Sequence, residues 1–172
     1  MTPKQILTSA SQNWETPKKI FAYAELCVRG FDVDVAASES NALCPHFWTK
    51  EDDGLAQDWS NKKIWCNPPY KKGQHRWIQK AIKTHNCVSV FLIPARTDTK
   101  LWQDMIFPKA AVIIFLRGRL KFLVNGFEKG PSTFPSALVA FDTQRDAHSE
   151  YAMRTFKRTA GHHGYAISNL SH

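Results

Sequence analysis

Apolar positions along the chain fall into two rhythms, one at about 3.6 residues and one at about 2. Ile20, Phe21, Ala24, Leu26 and Val28 follow Thr16 as an N-cap and Pro17 at the first helical position, with Gly30 just beyond. These signals predict a helix over residues 17–29. Residues 31–35 then alternate Phe, Asp, Val, Asp, Val before Ala36, Ala37 and Ser38, which reads as a short strand ending in a turn. Residues 39–61 keep no period and are expected to be mostly loop with short helical pieces. A second strand, 62–66, runs straight into Asn67-Pro68-Pro69-Tyr70, where two prolines forbid both helix and ladder and leave a rigid loop. Trp77, Ile78, Ala81 and Ile82 share one face of a helix expected over 74–84.

The run VSVFLIP at 88–94 is apolar but for Ser89, as expected for a buried parallel strand. A short helix is expected over 99–106. Strands are expected over 111–116, 118–124 and 136–141, the last group antiparallel because its connections are short. From Asp142 the pattern fades into a basic polar tail, 142–172, with Arg154, Lys157 and Arg158; His162 and His163 read there as solvated residues. Helix and strand alternating at this length predict an α/β fold: a three-layer, Rossmann-like sandwich on a mixed, mostly parallel sheet. All 172 residues are expected to form one domain with its core at about 14–141. In such sheets ligands bind beyond the carboxyl ends of the strands, which singles out the 34–38 turn and the 67–70 loop.

Charge divides the chain. Residues 1–60 carry 5 basic and 9 acidic side chains, a net of −4, whereas 61–172 carry 18 and 6, a net of +12. Such asymmetry suggests two jobs, with nucleic acid the first candidate partner of the basic part. With 43% hydrophobic and 12% aromatic residues the chain should fold rather than stay disordered. The longest apolar run, 110–116, is too short for a membrane span, and the first residues lack the apolar centre of a signal peptide. A soluble, cytoplasmic protein with no membrane partner is the expectation. Cys27, Cys44, Cys66 and Cys87 form no CxxC pair, and although Cys44 and His46 resemble half a zinc site, no second pair stands at finger spacing; no metal is expected.

The 67–70 loop carries the chemistry. The Asn67 side-chain carbonyl and the Pro68 main-chain carbonyl, which no ladder partner claims, are two acceptors aimed at one place. A planar amine with two N–H donors, such as the exocyclic amine of adenine or cytosine, fits there, and Tyr70 offers a face for stacking the base. That amine is a poor nucleophile because its lone pair is delocalised into the ring. Acceptors on both hydrogens favour the pyramidal, nucleophilic nitrogen as an electrophile approaches, with no need of a metal.

At these residues the sequence resembles amino-methyltransferases that use S-adenosylmethionine. It resembles more closely the compact phage and prophage Dam family of DNA N6-adenine methyltransferases. The likeness runs from Trp14 to about Phe122 through ordered blocks: Trp14-Glu15-Thr16-Pro17, residues 31–38, Asn41-Ala42-Leu43-Cys44, Asp52-Asp53-Gly54-Leu55 with Asp58-Trp59, Asn67 to Tyr70, residues 93–99 and residues 118–122. It implies transfer of a methyl group to adenine N6 in double-stranded DNA and a role in protection from host restriction. A base inside a duplex cannot present its amine to Asn67, so flipping is expected; without a sizeable insert for target recognition, relaxed sequence preference is expected, and the oligomeric state, monomer or weak dimer, is open.

The resemblance assigns Asn67, Pro68, Pro69 and Tyr70 to catalysis. Trp14, Thr16 and Pro17 would close over the methionine end of the cofactor, whose carboxylate suits a helix N-terminus. Asp34 would pair the cofactor's ammonium, with Asp32, on the same strand face, as the competing carboxylate. Ala36 and Ser38 stand where most methyltransferases have a glycine-rich turn, so the backbone approaches the cofactor differently here. Asp58 would accept from the cofactor's adenine amine, Trp59 would pack on that ring, and Asp52 or Asp53 would accept from the ribose hydroxyls. Only some 26 residues separate the two motif strands, so the cofactor region is abbreviated.

On the DNA side, Lys71, Lys72, His75 and Arg76 follow the catalytic loop. Arg117, Arg119 and Lys121 recur at a spacing of two, which on a strand gives one cationic face for phosphates. Phe122 and Trp77 are candidate packing partners for a flipped base. The alternatives from the residues themselves are methylation of cytosine N4, of RNA or of a glutamine amide, and, in another class, a DNA-binding protein of the same fold without catalysis.

Overall fold

The computed structural model describes residues 14–70 and 73–170. Helix α1 (Lys18–Val28) starts one residue later than its Thr-Pro signal predicts: Pro17, at φ −60° and ψ 127°, is the N-cap, and no side chain caps the helix. Thr16 is buried instead of capping. The helix ends at Arg29 and Gly30, both left-handed, where the Gly30 N–H donates to the Glu25 carbonyl at 2.9 Å.

Of the strand expected at 31–35 only β1 (Val33–Asp34) forms. It lies parallel to β2 (Lys63–Cys66), with Val33 opposite Ile64 and Asp34 opposite Trp65. Among residues 35–62 there is no strand. Their loop covers the outer edge of β1 instead, through bonds from Asp34 N–H to the His46 carbonyl and from Trp48 N–H to the Asp34 carbonyl. The loop packs so closely that a Cβ on Gly54 would stand 2.1 Å from the Val35 carbonyl oxygen, which requires glycine there.

Helix α2 (Gln74–Lys83) follows the 67–70 loop and leads to β3 (Val88–Pro94), buried at every position as expected. β3 is parallel to its β2 neighbour but antiparallel to the other, so the expected parallel strand is parallel on one side only. The helix expected at 99–106 is a π-helical turn, Leu101–Ile106, running into α3 (Phe107–Lys109). β4 (Val112–Leu116) follows.

The strand expected at 118–124 does not form. Gly118, with φ +72°, turns the chain, and only β5 (Leu123–Val124) is extended, pairing with β6 (Phe127–Glu128) in a separate hairpin. Asn125 and Gly126 both have positive φ, as a tight hairpin turn demands. β7 (Ser136–Asp142) then enters the sheet centre. The C-terminal segment departs most from expectation. Asp146 and Ser149 form a reciprocal capping box that opens α4 (Ala147–Thr159), a 3-10 turn follows at Ala160–His162, and β8 (Gly164–Ser168) pairs with β4. His162 is exposed as expected, whereas His163 is half-buried and packs its ring 4.0 Å from Tyr23 of α1.

The main sheet has the order β1-β2-β3-β7-β4-β8. β1 to β4 point one way and β7 and β8 the other, giving a mixed α/β sheet. Alternate residues of β3 feed two apolar clusters. Val88, Val90 and Leu92 pack with Phe21 and Ala24 of α1 and Met153 and Phe156 of α4. Phe91 and Ile93 pack with Ile78 and Ala81 of α2 and with Trp102 and Ile106. The carboxyl ends of β1, β2, β3 and β4 therefore share one edge of the sheet. Among the described residues no helix is long and apolar enough to cross a membrane, and no three His, Cys, Asp or Glu side chains gather as a metal site.

Candidate active site

The parallel register of β1 and β2 brings the two suspected loops together. Asp34 lies opposite Trp65, two residues before Asn67, so the 34–38 turn and the 67–70 loop leave the sheet side by side. The 14–16 segment crosses in front of both. It is held by two backbone bonds between Glu15 and Leu123, at 3.0 and 3.1 Å, and by the Asn67 side-chain amide, which donates to the Trp14 carbonyl. A cavity of about 30 Å³ remains, lined by Trp14, Glu15, Thr16, Asp34, Ala36, Asn41, Leu43, Trp65 and Asn67. That is room for about one water molecule, so a larger ligand displaces the 14–16 or the 36–43 segment.

The polar groups of this cavity are short of partners. Asp34 is 4% exposed. Its carboxylate accepts only from the backbone N–H of Ala36, at 3.4 Å, and of Leu43, at 3.3 Å, and no cation faces it among the described residues. Burial pushes its carboxyl up to about 6, against the pull of those two N–H groups. The Asn67 side-chain oxygen and the Trp65 indole N–H are buried with no hydrogen-bond partner among the described residues. A carboxylate in want of a cation beside an acceptor in want of a donor is what an ammonium-bearing ligand and a second, amine-bearing one would satisfy.

Pro68 is buried and Pro69 exposed. Tyr70 does not stand free: its hydroxyl donates to the Leu92 carbonyl at 3.3 Å, and Phe122 and Phe134 pack edge-on against its ring at 6.0 and 5.6 Å. Burial raises its hydroxyl well above the usual phenol value, which keeps it a neutral donor. Trp14 packs on the same Phe122 at 5.5 Å. An aromatic shelf of Trp14, Tyr70, Phe122 and Phe134 thus supports the Asn67 loop from the side of α1.

The other expected site residues divide. Thr16, 6% exposed, and Ala36 line the cavity; Pro17 begins α1 beside it. Ser38 borders it, its N–H bonded to the Asn41 side chain at 2.7 Å. Asp32, the competitor of Asp34, is exposed and accepts from Lys63 N–H at 2.6 Å, at the amino end of β2. Asp53 is exposed, in a left-handed turn, and accepts from Leu55 N–H at 3.2 Å; Asp52 is held by Thr49.

Asp58 does not line the cavity at Asn67. It precedes the amino end of β2, accepts from Ser60 N–H at 2.9 Å, and that bond lowers its carboxyl below the usual range. Trp59 has no exposed surface: it donates to the Gly54 carbonyl and packs against Trp77 and Phe91 in the core on the α2 face, which leaves no ring face for a ligand. Trp77 belongs to that core too. A large, flat side chain between polar residues is equally a ligand platform or a core filler in sequence; the packing made it a filler.

Lys71 and Lys72 lie outside the described residues. Arg76 and His75 are exposed on the first turn of α2. Arg117, Arg119 and Lys121 are exposed but do not share a strand face, because residues 118–122 are not a strand; Lys121 is paired with Glu128 at 3.1 Å. Glu15, Trp65 and the Leu43 N–H are site groups that residue types alone do not announce, although each belongs to or borders one of the ordered blocks. A larger cavity, about 520 Å³, lies at the other edge of the sheet among Lys109, Asp142, Arg145 and Glu150, away from all of these residues.

The chain thus has a mixed α/β sheet whose carboxyl edge places a buried carboxylate, Asp34, beside an Asn-Pro-Pro-Tyr loop. Residues 4–159 match the family model of DNA N-6-adenine-methyltransferase (Dam), and the chain belongs to that family. It is 33% identical over 149 residues to the DNA N-6-adenine-methyltransferase of Haemophilus phage HP1, covering 83% of this chain and 85% of that one. It is 36% identical over 118 residues to the DNA N-6-adenine-methyltransferase of Escherichia phage T1, covering 67% of this chain and 49% of the relative, so it matches about half the length of that protein.

Proposed function

We propose that this chain transfers a methyl group from S-adenosylmethionine to the exocyclic N6 amine of an adenine flipped out of double-stranded DNA. The buried side-chain oxygen of Asn67, unpartnered among the described residues and set in the same cavity as the buried Asp34 carboxylate, carries the reading, since an acceptor so placed suits an arriving donor. The adenine amine supplies one N–H to Asn67 and one to the Pro68 carbonyl, and the resulting geometry readies its nitrogen lone pair for attack. The cofactor, when bound, supplies an electrophilic methyl group on a sulfonium.

Asp34 fits the ammonium of that cofactor, since a cation would remove the penalty of its burial. Thr16, at the mouth of α1, fits the methionine carboxylate. Trp14 and the aromatic shelf around Tyr70 keep water from the amine. The mixed sheet with helices on both faces is read as an abbreviated three-layer methyltransferase sandwich, and Arg76, Arg117 and Arg119, with Lys71 and Lys72, as phosphate contacts.

Incubating the protein with plasmid DNA and S-adenosylmethionine, then digesting the DNA to nucleosides, tests the reading. N6-methyladenine is the expected product. N4-methylcytosine in its place, or no methylated nucleoside under conditions where the cofactor binds, would overturn it.

A further inference from the structure

The two outer strands of the main sheet end differently. β1 is covered by the 35–62 loop, through the backbone bonds of Asp34 and Trp48. β8 pairs with β4 on one side and, among the described residues, with no strand on the other. Its register fixes which backbone groups are open. Asn169 N–H donates to the Ala111 carbonyl and Arg117 N–H to the His163 carbonyl, so residues 163, 165, 167 and 169 face β4. Gly164, Ala166 and Ser168, the alternate residues, therefore turn their N–H and C=O groups outward.

This outer strand is held in place. A Cβ on Gly164 would stand 1.9 Å from the Phe115 carbonyl oxygen, so only glycine lets β8 run this close to β4. At the other end the Asn169 side-chain amide donates to the carbonyls of Phe107 and Ala110, at 2.9 Å each. Charges, prolines and bulges usually keep open strands from pairing with other chains. β8 has no proline and an unbroken register, and residues 159–170 carry no Asp, Glu, Lys or Arg although 22% of the chain is charged. Tyr165 is 74% exposed, on the same strand face as the half-buried Ile167 and opposite the half-buried Phe115 of β4.

We propose that β8 is a self-association strand, pairing antiparallel with β8 of a second copy and joining the two sheets into one. A two-fold axis at Ala166 is the register that uses every open group. Ala166 then lies opposite the partner's Ala166 and Gly164 opposite the partner's Ser168, so three N–H groups from each copy find carbonyls, six bonds in all. The same register sets each Tyr165 beside the partner's Ile167, on one face of the joined sheet, and covers both. A second copy brings the matching pattern by symmetry, on a strand that no charge repels. Because the paired strands run in opposite directions, the two carboxyl edges point away from each other and both candidate active sites stay open. The inference stands on the strand alone and not on the methyl-transfer reading.

Sedimentation velocity on the full chain, without DNA or cofactor, tests the pairing. An interface of one short strand from each copy should dissociate at about 10–100 μM, so the protein is followed from about 1 to about 300 μM. Wild type should pass from 19.6 kDa toward twice that mass as its concentration rises. Tyr165→Lys changes an exposed side chain, and Ala166→Pro removes the central outward N–H from an outer strand, where proline is tolerated. Both variants should melt near the wild type and remain at 19.6 kDa throughout.

Hydrogen exchange resolved to single amides reads the register directly. The amides of Gly164, Ala166 and Ser168 should exchange severalfold more slowly in concentrated than in dilute wild type, whereas those of Tyr165 and Ile167, bonded to β4, should be protected at both concentrations. A wild type that stays monomeric at the highest concentration overturns the inference. So does a dimer that survives both substitutions, which would place the contact elsewhere. Protection of the outward amides that does not depend on concentration overturns it as well, since the strand would then be covered within its own chain. Should Ala166→Pro fail to fold, Tyr165→Lys and the exchange pattern decide.

Discussion

The two edges of the sheet treat their aspartates in different ways. At the amino edge three carboxylates are occupied by nearby backbone: Asp32 accepts from Lys63 N–H at 2.6 Å, Asp58 from Ser60 N–H at 2.9 Å, and Asp142 from Gln144 and Arg145 N–H at 3.0 Å each. The Asn61 and Asn86 side chains bond to one another. At the carboxyl edge Asp34 is buried with two long bonds, and Asn67 keeps its oxygen unpartnered. Residues of the same types thus do different work. Satisfied polar groups close turns; unsatisfied buried ones cost stability and persist where a ligand is to complete them.

The largest effect expected is at Asn67. Asn67→Ala removes the free acceptor and should lower the rate of N6-methyladenine formation by about 10²- to 10³-fold, the scale of losing one aimed hydrogen-bonding group. DNA affinity, measured by anisotropy, should hardly change. A wild-type rate in this variant would reduce the 67–70 loop to architecture and erase the contrast between the edges.

Next comes the pair of carboxylates that the strand pattern leaves equivalent. Asp34→Asn should weaken S-adenosylmethionine binding in calorimetry by about ten- to a hundredfold, as the loss of a buried charge-assisted contact does. Asp32→Asn should leave it unchanged. The pH dependence sharpens the point. The folded-state carboxyl of Asp34, at about 6, lies above its unfolded value of 3.8, so the folded protein holds the proton more tightly. The burial penalty is absent below 3.8 and complete above about 6; stability from this group falls as pH rises between them. Cofactor affinity should rise through the same window, as the carboxylate that pairs the ammonium forms, and Asp34→Asn should flatten both profiles.

Smaller effects belong to the exposed cations. Arg76→Ala and Arg119→Ala should each weaken DNA binding severalfold and lower the slope of log affinity against log salt by about one. Lys121→Ala should do less, since Glu128 already holds that ammonium. Smallest of all is Asp58→Asn: cofactor affinity should stay within about twofold, as for an exposed carboxylate at the far edge. A tenfold loss there would restore Asp58 as an adenine contact and overturn its placement.

Local signals located most of the fold because each strong element states its own limits. The run Val88–Pro94, apolar but for Ser89 and rich in β-branched residues, reads as a buried strand, and the two prolines at 68 and 69 end the strand before them. Weak elements were hidden for equally physical reasons. α4 buries small residues, Ser149 and Ala152, with only Met153 and Phe156 as larger anchors, so its face reads as polar; β8 is half-buried along its length and reads as tail. Arg117, Arg119 and Lys121 mimic a strand face by spacing alone, and Gly118 prevents it. Trp59 shows the limit for site residues: whether an indole faces a ligand or a core depends on which side of the sheet its loop reaches, which no spacing records.

By itself, the sequence determined the acceptor loop, because Asn, Pro, Pro and Tyr after a strand leave two carbonyls without ladder partners, and it determined the division of charge between an acidic start and a basic remainder. Tertiary structure alone decided which acidic residues belong to the site. Asp32, Asp34 and Asp58 have the same chemistry, and only the parallel register of β1 on β2 buries Asp34 beside Asn67 while leaving the other two in water at the opposite edge. Desolvation depends on three-dimensional surroundings and not on residue type, so the carboxylate that needs a cation is visible only once the sheet is assembled.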